Sequence, residues 1–371
     1  MYSLKLVSLQ IDDTHIHFND GPNYIVGDNN SGKTTIFNCI KYALGLTKSI
    51  VHRHISQIEL DVCINGYGFV FRREVGSAYL SVSHKGNAYK YRALSKELDD
   101  FLKDALLPTY IYGSDTESVL ALLDFCFLSE EISVNRRQQW ETIKSICGIN
   151  VSLLRSVEKD ISALEKEVYK NKELEKIIDE FSSSLADRLN ESENVENIDS
   201  IIELTKENFF DEFRKKEDLL VNATSKFYKI KERSDFEIRS NVAEIEDVFF
   251  SLNQYAGFER SFFDGLELFI KDRSKTMSYG EETFSRFILV LAVAKVAQDS
   301  RYNFPQLIVN DSYLSLDLDN RTYRRSLSIL DDLISGNKGL QYIEFTYKAE
   351  VPKEHVVLNL YEQGGLHVFG S

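Results

Sequence analysis

Cysteine is scarce in this sequence, with four residues in 371 and no C-x-x-C pair. The four are Cys39, Cys63, Cys126 and Cys147, and they are widely spaced. Disulfide frameworks and cysteine zinc sites both require patterned cysteines, so the sequence predicts neither. Free cysteine is among the residue types most often buried, and we expect buried thiols.

Long hydrophobic runs are also missing. The longest apolar stretch, Phe287 to Ala297, includes Lys295 and is far shorter than the ~20 residues of a membrane-spanning helix. The segment Met1 to Ile11 alternates polar and apolar residues, and it lacks the charged and apolar regions of a signal peptide. We therefore expect a cytoplasmic protein that does not engage a membrane.

Positive charge is in the minority, because 44 Lys and Arg face 58 Asp and Glu, a net charge of −14. An acidic total argues against indiscriminate coating of DNA. Four local basic clusters stand out: Lys85 to Arg92, Arg136 to Arg137, Arg214 to Lys216 and Lys226 to Arg233. Screening limits distant charges to about 10 Å, so such clusters could bind backbone phosphate. Solvated helix faces are the alternative interpretation.

The first third of the chain has the pattern of strands around one helix. Alternating apolar residues predict strands at Leu4 to Ile11, His15 to Phe18 and Tyr24 to Val26, and helical spacing follows from Ile36 to Leu44. Short segments between glycines predict an antiparallel meander. These segments are Ile58 to Val62, Phe69 to Phe71, Ala78 to Val82 and Ala88 to Tyr91.

The middle of the chain changes to a helical period. Apolar residues from Leu154 to Val168 recur at alternating steps of three and four, which predicts a coiled-coil seam. A polar turn at Asn190 to Ser200 and a second apolar stripe predict a returning helix, and thus an antiparallel hairpin. An ordinary packed helical subdomain is the alternative. Beyond it, the pattern predicts strands at Phe258 to Phe262 and Leu266 to Ile270.

A complete phosphate-binding motif follows the third predicted strand and precedes the first predicted helix. Its residues are Gly27, Asp28, Asn29, Asn30, Ser31, Gly32, Lys33 and Thr34, and Thr35 follows. The glycines let backbone amides turn towards phosphates, Lys33 supplies a positive charge, and the Thr34 hydroxyl can ligate Mg²⁺. The sequence therefore predicts a site for ATP and Mg²⁺.

Two later segments could complete this site. A buried strand at Leu307 to Val309 leads into Asn310 and Asp311, and a carboxylate at such a strand end can hold the metal's water shell. The segment Met277 to Glu282 opens a predicted helix, Thr283 to Val296, where Ser278 and backbone amides could face a terminal phosphate. A helix N-cap with a capping box, Ser278 with Glu281, is the plain alternative.

Taken in order, these elements resemble the ABC-type ATPase heads of the SMC, SbcC and RecF class. The resemblance rests on the P-loop, on Asp311, and on the insertion with the hairpin that sets Lys33 and Ser278 245 positions apart. It implies an α/β P-loop head, a mixed sheet plus an antiparallel meander, with an inserted coiled-coil arm. Residues 1–150 and 254–371 would form the two lobes of the head, and 151–253 the arm.

The resemblance also implies how the site works. In such proteins two heads sandwich two ATP molecules, so Ser278, Gly280 and Glu281 of one subunit would contact the nucleotide held by the Lys33 of a second copy. A separate effector, such as a nuclease, is the partner expected in compact members from bacterial defence systems. DNA is a further ligand that the class suggests.

Three positions depart from the class. The catalytic glutamate expected after Asp311 is Ser312, the segment Tyr110 to Asp115 has no glutamine, for which Gln57 is a poor substitute, and Tyr342 to Tyr347 has no histidine. We therefore expect slow or conditional hydrolysis, because loss of a positioned acid or base costs about 10²- to 10⁴-fold in rate. Asp317 or Asp319 could take part of that role, but both also fit a dimer-contact loop.

The predicted function is an ATP-gated SMC-like subunit that acts on DNA or on a DNA-processing effector, in repair or phage defence. A nucleotide-sensing scaffold that holds or releases an effector without touching DNA is the alternative. A small-molecule P-loop kinase would explain neither the segment at Ser278 nor the arm.

Overall fold

The computed structural model describes residues 3–50, 54–106, 118–129, 136–147, 151–189, 195–257, 265–271, 279–298, 302, 304–311, 320–336, 339–347 and 351–362. They divide into two compact units. The head unit contains the described residues up to Ile149 together with those from Ile238 onwards, and the arm unit spans Asn150–Glu237.

One sheet of the head unit is antiparallel throughout. Its strands are β1 (Leu4–Ile11), β2 (Thr14–His17), β4 (Gln57–Ile64), β5 (Tyr67–Glu74), β6 (Tyr79–His84) and β7 (Asn87–Arg92), in the spatial order β2-β1-β4-β5-β6-β7. The predicted meander is therefore present. Along β4 and β5, buried and more exposed residues alternate, as expected for a sheet with one face on the core.

Two-residue turns set the register of the meander. Asn65 and Gly66 join β4 to β5 with φ of 50° and 84°, and Lys85 and Gly86 join β6 to β7 with φ of 48° and 81°. Two consecutive positive φ angles match the twist of a hairpin, and glycine adopts them without steric cost. The glycines that marked the meander in the sequence are thus turn residues.

The second sheet is parallel and buried. It consists of β3 (Pro22–Val26), β8 (Phe127–Leu128), β9 (Leu307–Asp311), β10 (Gln341–Thr346) and β11 (Val356–Asn359), in the order β11-β3-β10-β9-β8. Every residue of β3, β9 and β10 is buried. The α/β class is confirmed, with parallel and antiparallel strands in separate sheets among the described residues.

Helix α1 (Lys33–Ala43) packs between the two sheets, against β4 and β5 on one side and β9 and β10 on the other. Phe37 on this helix makes edge-to-face ring contacts with Phe127 and Phe345. The Gln341 side chain also joins the sheets, because it bonds the backbone N–H and C=O of Leu6 at 2.8 and 2.9 Å. These contacts hold α1, which begins at Lys33, between the two sheets.

A buried arginine holds the end of α1. Arg73 in β5 is 1% exposed, and its guanidinium donates to the carbonyl oxygens of Tyr42, Thr47, Lys48 and Ser77 at 2.8–3.1 Å. Burial lowers the pKa of this guanidinium. Its N–H donors are thus satisfied by backbone carbonyl oxygens.

Arg73→Ala is expected to lower the free energy of unfolding by about 3 kcal/mol or more, because it leaves several part-buried carbonyl groups without a hydrogen-bond donor. Chemical denaturation followed by circular dichroism measures the loss. Arg72→Ala is the matched control, since the neighbouring side chain is half exposed and pairs with Glu59, so its loss should be below about 1 kcal/mol. Equal losses for the two variants would contradict this role of Arg73.

The remaining helices of the head unit are α2 (Lys96–Leu106), α3 (Val119–Phe125), α4 (Arg136–Ile146), α7 (Leu266–Lys271), α8 (Tyr279–Val296) and α9 (Asn320–Gly336), and Lys353–His355 is a 3₁₀ turn. The predicted strand at Leu266 to Ile270 is wrong. Leu266 and Ile270 are both buried, and their spacing of four places them on one helix face. The segment predicted as the preceding strand lies outside the described residues.

The arm unit contains α5 (Val151–Leu189) and the first part of α6 (Val195–Ala256). Only five residues separate the end of α5 from the start of α6, yet Glu167 pairs with Lys216 at 3.2 Å and Lys172 with Glu217 at 3.3 Å, each residue 17 or more positions from that connection, so α6 returns along α5. Val168 and Phe213 are buried between flanking charges. The antiparallel hairpin is therefore observed. The expected turn at Asn190 to Ser200 is wrong in its second half, because α6 begins at Val195, and residues 190–194 lie outside the described residues.

The boundary after the hairpin falls at 237/238, earlier than the predicted 253/254. The last turns of α6 belong to the head core, where Ile245 and Phe249 are fully buried. Asn253 is 1% exposed and accepts a hydrogen bond from Ser285 of α8 at 3.1 Å. The sequence pattern missed this change because a continuous helix gives no break where its packing partners change.

Candidate functional site

The glycine-rich loop lies between β3 and α1, as the motif requires. Asn30 and Gly32 have φ of 66° and 102°, in the left-handed region that turns successive N–H groups towards one side. The Gly27 N–H donates to the Thr346 carbonyl at 3.2 Å, so the start of the loop is tied to the end of β10. The loop opens directly onto the N-terminus of α1, where backbone amides favour an anion.

Lys33 lies inside this loop and is 6% exposed. Its ammonium donates to the carbonyl oxygens of Gly27 at 2.8 Å and Asp28 at 2.7 Å. Burial lowers the pKa of Lys33, and the charges of Asp311 and Asp28 oppose that shift. An ammonium has three donors, so one remains for a phosphate oxygen beside the two carbonyls.

Asp311 reaches the same place from 277 residues along the chain. It is the last residue of β9, 7% exposed, and its Oδ1 lies 3.4 Å from Thr34 Oγ1. Parallel pairing of β9 with β10, and of β10 with β3, aligns the carboxyl ends of these strands at one edge. The structure thus joins two elements that the sequence analysis paired.

Two features show that the loop fits a phosphate. Ser31 Oγ is buried and makes no hydrogen bond among the described residues, so a hydroxyl donor is available there. A Cβ at Gly27 would lie 2.5 Å from Ser31 Oγ and 2.7 Å from Leu360 Cβ. Only glycine therefore allows the backbone of the loop to pack this closely against Ser31 and Leu360. Thr34 and Asp311 present the oxygen ligands that Mg²⁺ prefers.

The structure describes some of the other predicted site residues but not all of them. Thr35 is buried beneath the loop, whereas Asn29 and Asn30 are exposed on it. Gly280 lies within the first turn of α8, where Glu281 also lies. Ser278, Ser312, Asp317 and Asp319 lie outside the described residues, and so does the segment 110–115, which lacks the glutamine expected for the class.

Sequence analysis missed a buried polar group beside the site. Glu344, in the middle of β10, is 0% exposed and accepts hydrogen bonds from Tyr323 and Tyr342. The sequence does carry a signal for Glu344, because a glutamate inside an otherwise apolar buried strand is rare unless it is paired.

Two kinds of feature are absent from the described ranges. In that part of the chain no helix combines the length and apolar character needed to span a bilayer. The same ranges contain no group of three or more His, Cys, Asp or Glu residues that could hold a metal ion.

Solved structures that this chain resembles include Smc head domains. The chain matches the Smc head domain with an extended coiled coil from Pyrococcus furiosus, bound there to the C-terminal domain of ScpA, with a TM-score of 0.55, 18% identity and coverage of 94% of this chain and 90% of that one. The Smc head domain with a coiled coil and joint from Pyrococcus yayanosii gives 0.54, 16%, 94% and 92%. These likenesses establish the fold.

The sequence comparisons add the family. No curated protein matches the chain, but the family model described as "AAA domain" matches residues 7–255. That range contains the P-loop and both arm helices, while the structural likeness extends over the segments that follow. The chain therefore belongs to the AAA domain family, with the fold of an SMC-like ABC-type ATPase head and its helical arm.

Proposed function

We propose that this protein is an ATP-binding SMC-like subunit whose heads dimerise on ATP and thereby gate DNA binding or a DNA-processing effector, in DNA repair or anti-phage defence. The observation that carries the proposal is the 3.4 Å approach of Thr34 Oγ1 and Asp311 Oδ1. A P-loop and a distant strand-end carboxylate meet there, in a head with an inserted helical arm.

The residues divide the work of binding between phosphate and metal. Amides of the loop from Gly27 to Thr34, the Lys33 ammonium and the Ser31 hydroxyl would hold phosphate oxygens. Thr34 and Asp311 would hold Mg²⁺, which neutralises charge on the β- and γ-phosphates. The family model and the fold support nucleotide binding at this loop.

Dimerisation would complete the site from a second copy of the chain. Helix α8 presents its N-terminus, with Gly280 in the first turn, and an N-terminal turn favours a terminal phosphate. Ser278 would contact the nucleotide bound to the other copy. Hydrolysis is slow in this proposal, because the hydroxyl of Ser312 cannot serve as the base that activates water.

A protein partner is part of the proposal. The Pyrococcus furiosus head is bound to the C-terminal domain of ScpA, so a head of this fold can carry a separate polypeptide. We expect an effector, such as a nuclease, to be the separate polypeptide that binds the head of this protein.

Nucleic acid has one supporting surface in the head unit. Residues 85–92 contain three Lys or Arg and no Asp or Glu, against the acidic balance of the whole chain. Tyr79 and Tyr89 are about half exposed, and the Lys90 ammonium lies 5.1 Å from the Tyr79 ring centre. Cations beside exposed aromatic rings are the combination that binds phosphates and stacks bases.

The proposal predicts ATP-dependent dimerisation. The wild-type protein should shift from monomer to dimer mass when ATP and Mg²⁺ are added, as measured by light scattering after size exclusion. Ser278→Arg should bind ATP yet remain a monomer, because a bulky cation would fill the interface. Ser251→Arg, at an exposed position of α6, is the matched control and should dimerise. A wild-type protein that binds ATP and stays monomeric would rule out this gating.

Repeating the experiment with DNA present decides whether the dimer binds DNA or acts only on a protein effector. If DNA is a ligand of the dimer, it should tighten ATP binding, because coupling between two ligands is reciprocal. Affinity for DNA should then fall steeply with added salt. Dimerisation without any effect of DNA at low salt would favour the nucleotide-sensing scaffold instead.

A further inference from the structure

Glu344 is a fully buried carboxylate that nucleotide binding does not use directly. It lies in β10, between the strand that carries Asp311 and the strand that leads into the P-loop. Burial of a carboxylate is costly unless hydrogen bonds satisfy it. Its position in the sheet therefore requires an explanation in terms of its partners.

Two hydrogen bonds converge on this carboxylate, and a third extends the network to a neighbouring strand. The Tyr323 hydroxyl donates to Glu344 Oε1 at 2.9 Å, and the Tyr342 hydroxyl donates to Oε2 at 2.8 Å. Asn310 Nδ2 donates in turn to the Tyr342 hydroxyl at 3.1 Å. Both carboxylate oxygens are thus satisfied by directed donors, a network that links β9, β10 and α9.

The two phenols are held as donors. Burial raises the pKa of Tyr323 and Tyr342, and the nearby charge of Glu344 raises it further. Tyr24 of β3 lies close enough to show the same two effects on its pKa. At neutral pH these hydroxyl groups keep their protons, so the direction of the hydrogen bonds is fixed.

One end of the network lies at residues that nucleotide binding would engage, and the other lies at two helices. Asn310 directly precedes Asp311, and Thr346 at the end of β10 accepts the Gly27 N–H. On the other side, Tyr323 lies in the first turns of α9, and Arg325 of α9 donates to the Ala256 carbonyl at 2.9 Å. Ala256 is the last residue of α6, the helix that continues into the arm unit.

We propose that Glu344 is a positioning residue that couples the nucleotide site to α9 and, through Arg325, to the head end of α6. The proposal rests on the proposed function, since it assumes that ATP binds at the P-loop. It differs from a purely stabilising role, in which Glu344 would only hold the strands and helix together whether or not nucleotide is bound.

Hydrogen exchange tests the coupling directly. ATP binding to the wild-type protein is measured first, with Mg²⁺ present. We then expect saturating ATP to slow exchange about tenfold in the first turns of α9 and the last turns of α6, the size of an ordinary coupling free energy. Glu344→Gln keeps the shape but has a single acceptor oxygen, so one phenol loses its partner. It should bind ATP almost as well and lose most of this slowing.

Tyr302→Phe is the matched control, because Tyr302 is also buried and donates to a carboxylate, Glu244, at 2.6 Å away from this network. It should retain the slowing. If Glu344→Gln does not fold, Tyr323→Phe decides the question, since it keeps the ring and removes only the hydroxyl. Slowing equal to the wild type in the network variant, or ATP-bound wild-type protein without slowing, would overturn the coupling. Absence of ATP binding by the wild type would instead remove the proposed function and the coupling with it.

Discussion

Lys33→Ala is expected to weaken ATP binding by about 100-fold, the cost of losing charge-assisted hydrogen bonds to a polyphosphate. The ammonium is held inside the loop by the carbonyls of Gly27 and Asp28, so it is already positioned where phosphate oxygens would lie. Burial also lowers the pKa of Lys33, because it disfavours the charged ammonium. A bound phosphate would favour the charged form and so oppose this effect. Titration calorimetry with ATP and Mg²⁺ measures the loss.

Lys41→Ala is the matched control, since it removes the same charge from the same helix. Lys41 pairs with Asp124 at 2.7 Å, and its ammonium lies 5.8 Å from the centre of the Phe37 ring. The substitution should therefore lower stability slightly and leave ATP affinity nearly unchanged. If both variants bound ATP equally well, Lys33 would have no direct role at the phosphate. A similar loss in both would indicate a general charge effect.

Most of the fold could be predicted because its signals are local. Strand alternation identified β1, and glycine turns identified the meander, whose Asn65–Gly66 turn has the expected positive φ angles. The hairpin followed from its apolar seam. The pattern failed at Leu266 to Ile270, where a short apolar run suits a strand or a helix equally well. Burial against neighbouring helices decided for the helix.

The site shows the same division between local and distant information. The P-loop is contiguous, so its residues were named from the sequence, and Asp311 followed from its place at the end of a buried strand. The pairing of Glu344 with Tyr323 could not be predicted, because it depends on how α9 packs over β10. Packing between elements distant in sequence leaves no periodic trace in either of them.

Asp311→Asn should weaken the Mg²⁺-dependent part of ATP binding by about 10- to 100-fold, the usual effect of changing a group around a bound metal. The amide keeps the shape and the contact with Thr34 but removes the negative charge. ATP affinity measured with EDTA should therefore change little, whereas affinity with Mg²⁺ should approach that metal-free value. Any ATP turnover of the wild-type protein should also be lost.

Asp99→Asn is the control for burial, because Asp99 is also 7% exposed but lies in α2, where it accepts from the Ser118 hydroxyl and the Leu120 amide. It should leave the Mg²⁺ effect intact even if it lowers stability. A loss of ATP affinity in Asp311→Asn that is equal with EDTA and with Mg²⁺ would assign Asp311 a structural role. The 3.4 Å approach to Thr34 would then reflect packing of β9 beside the loop and not a shared metal site.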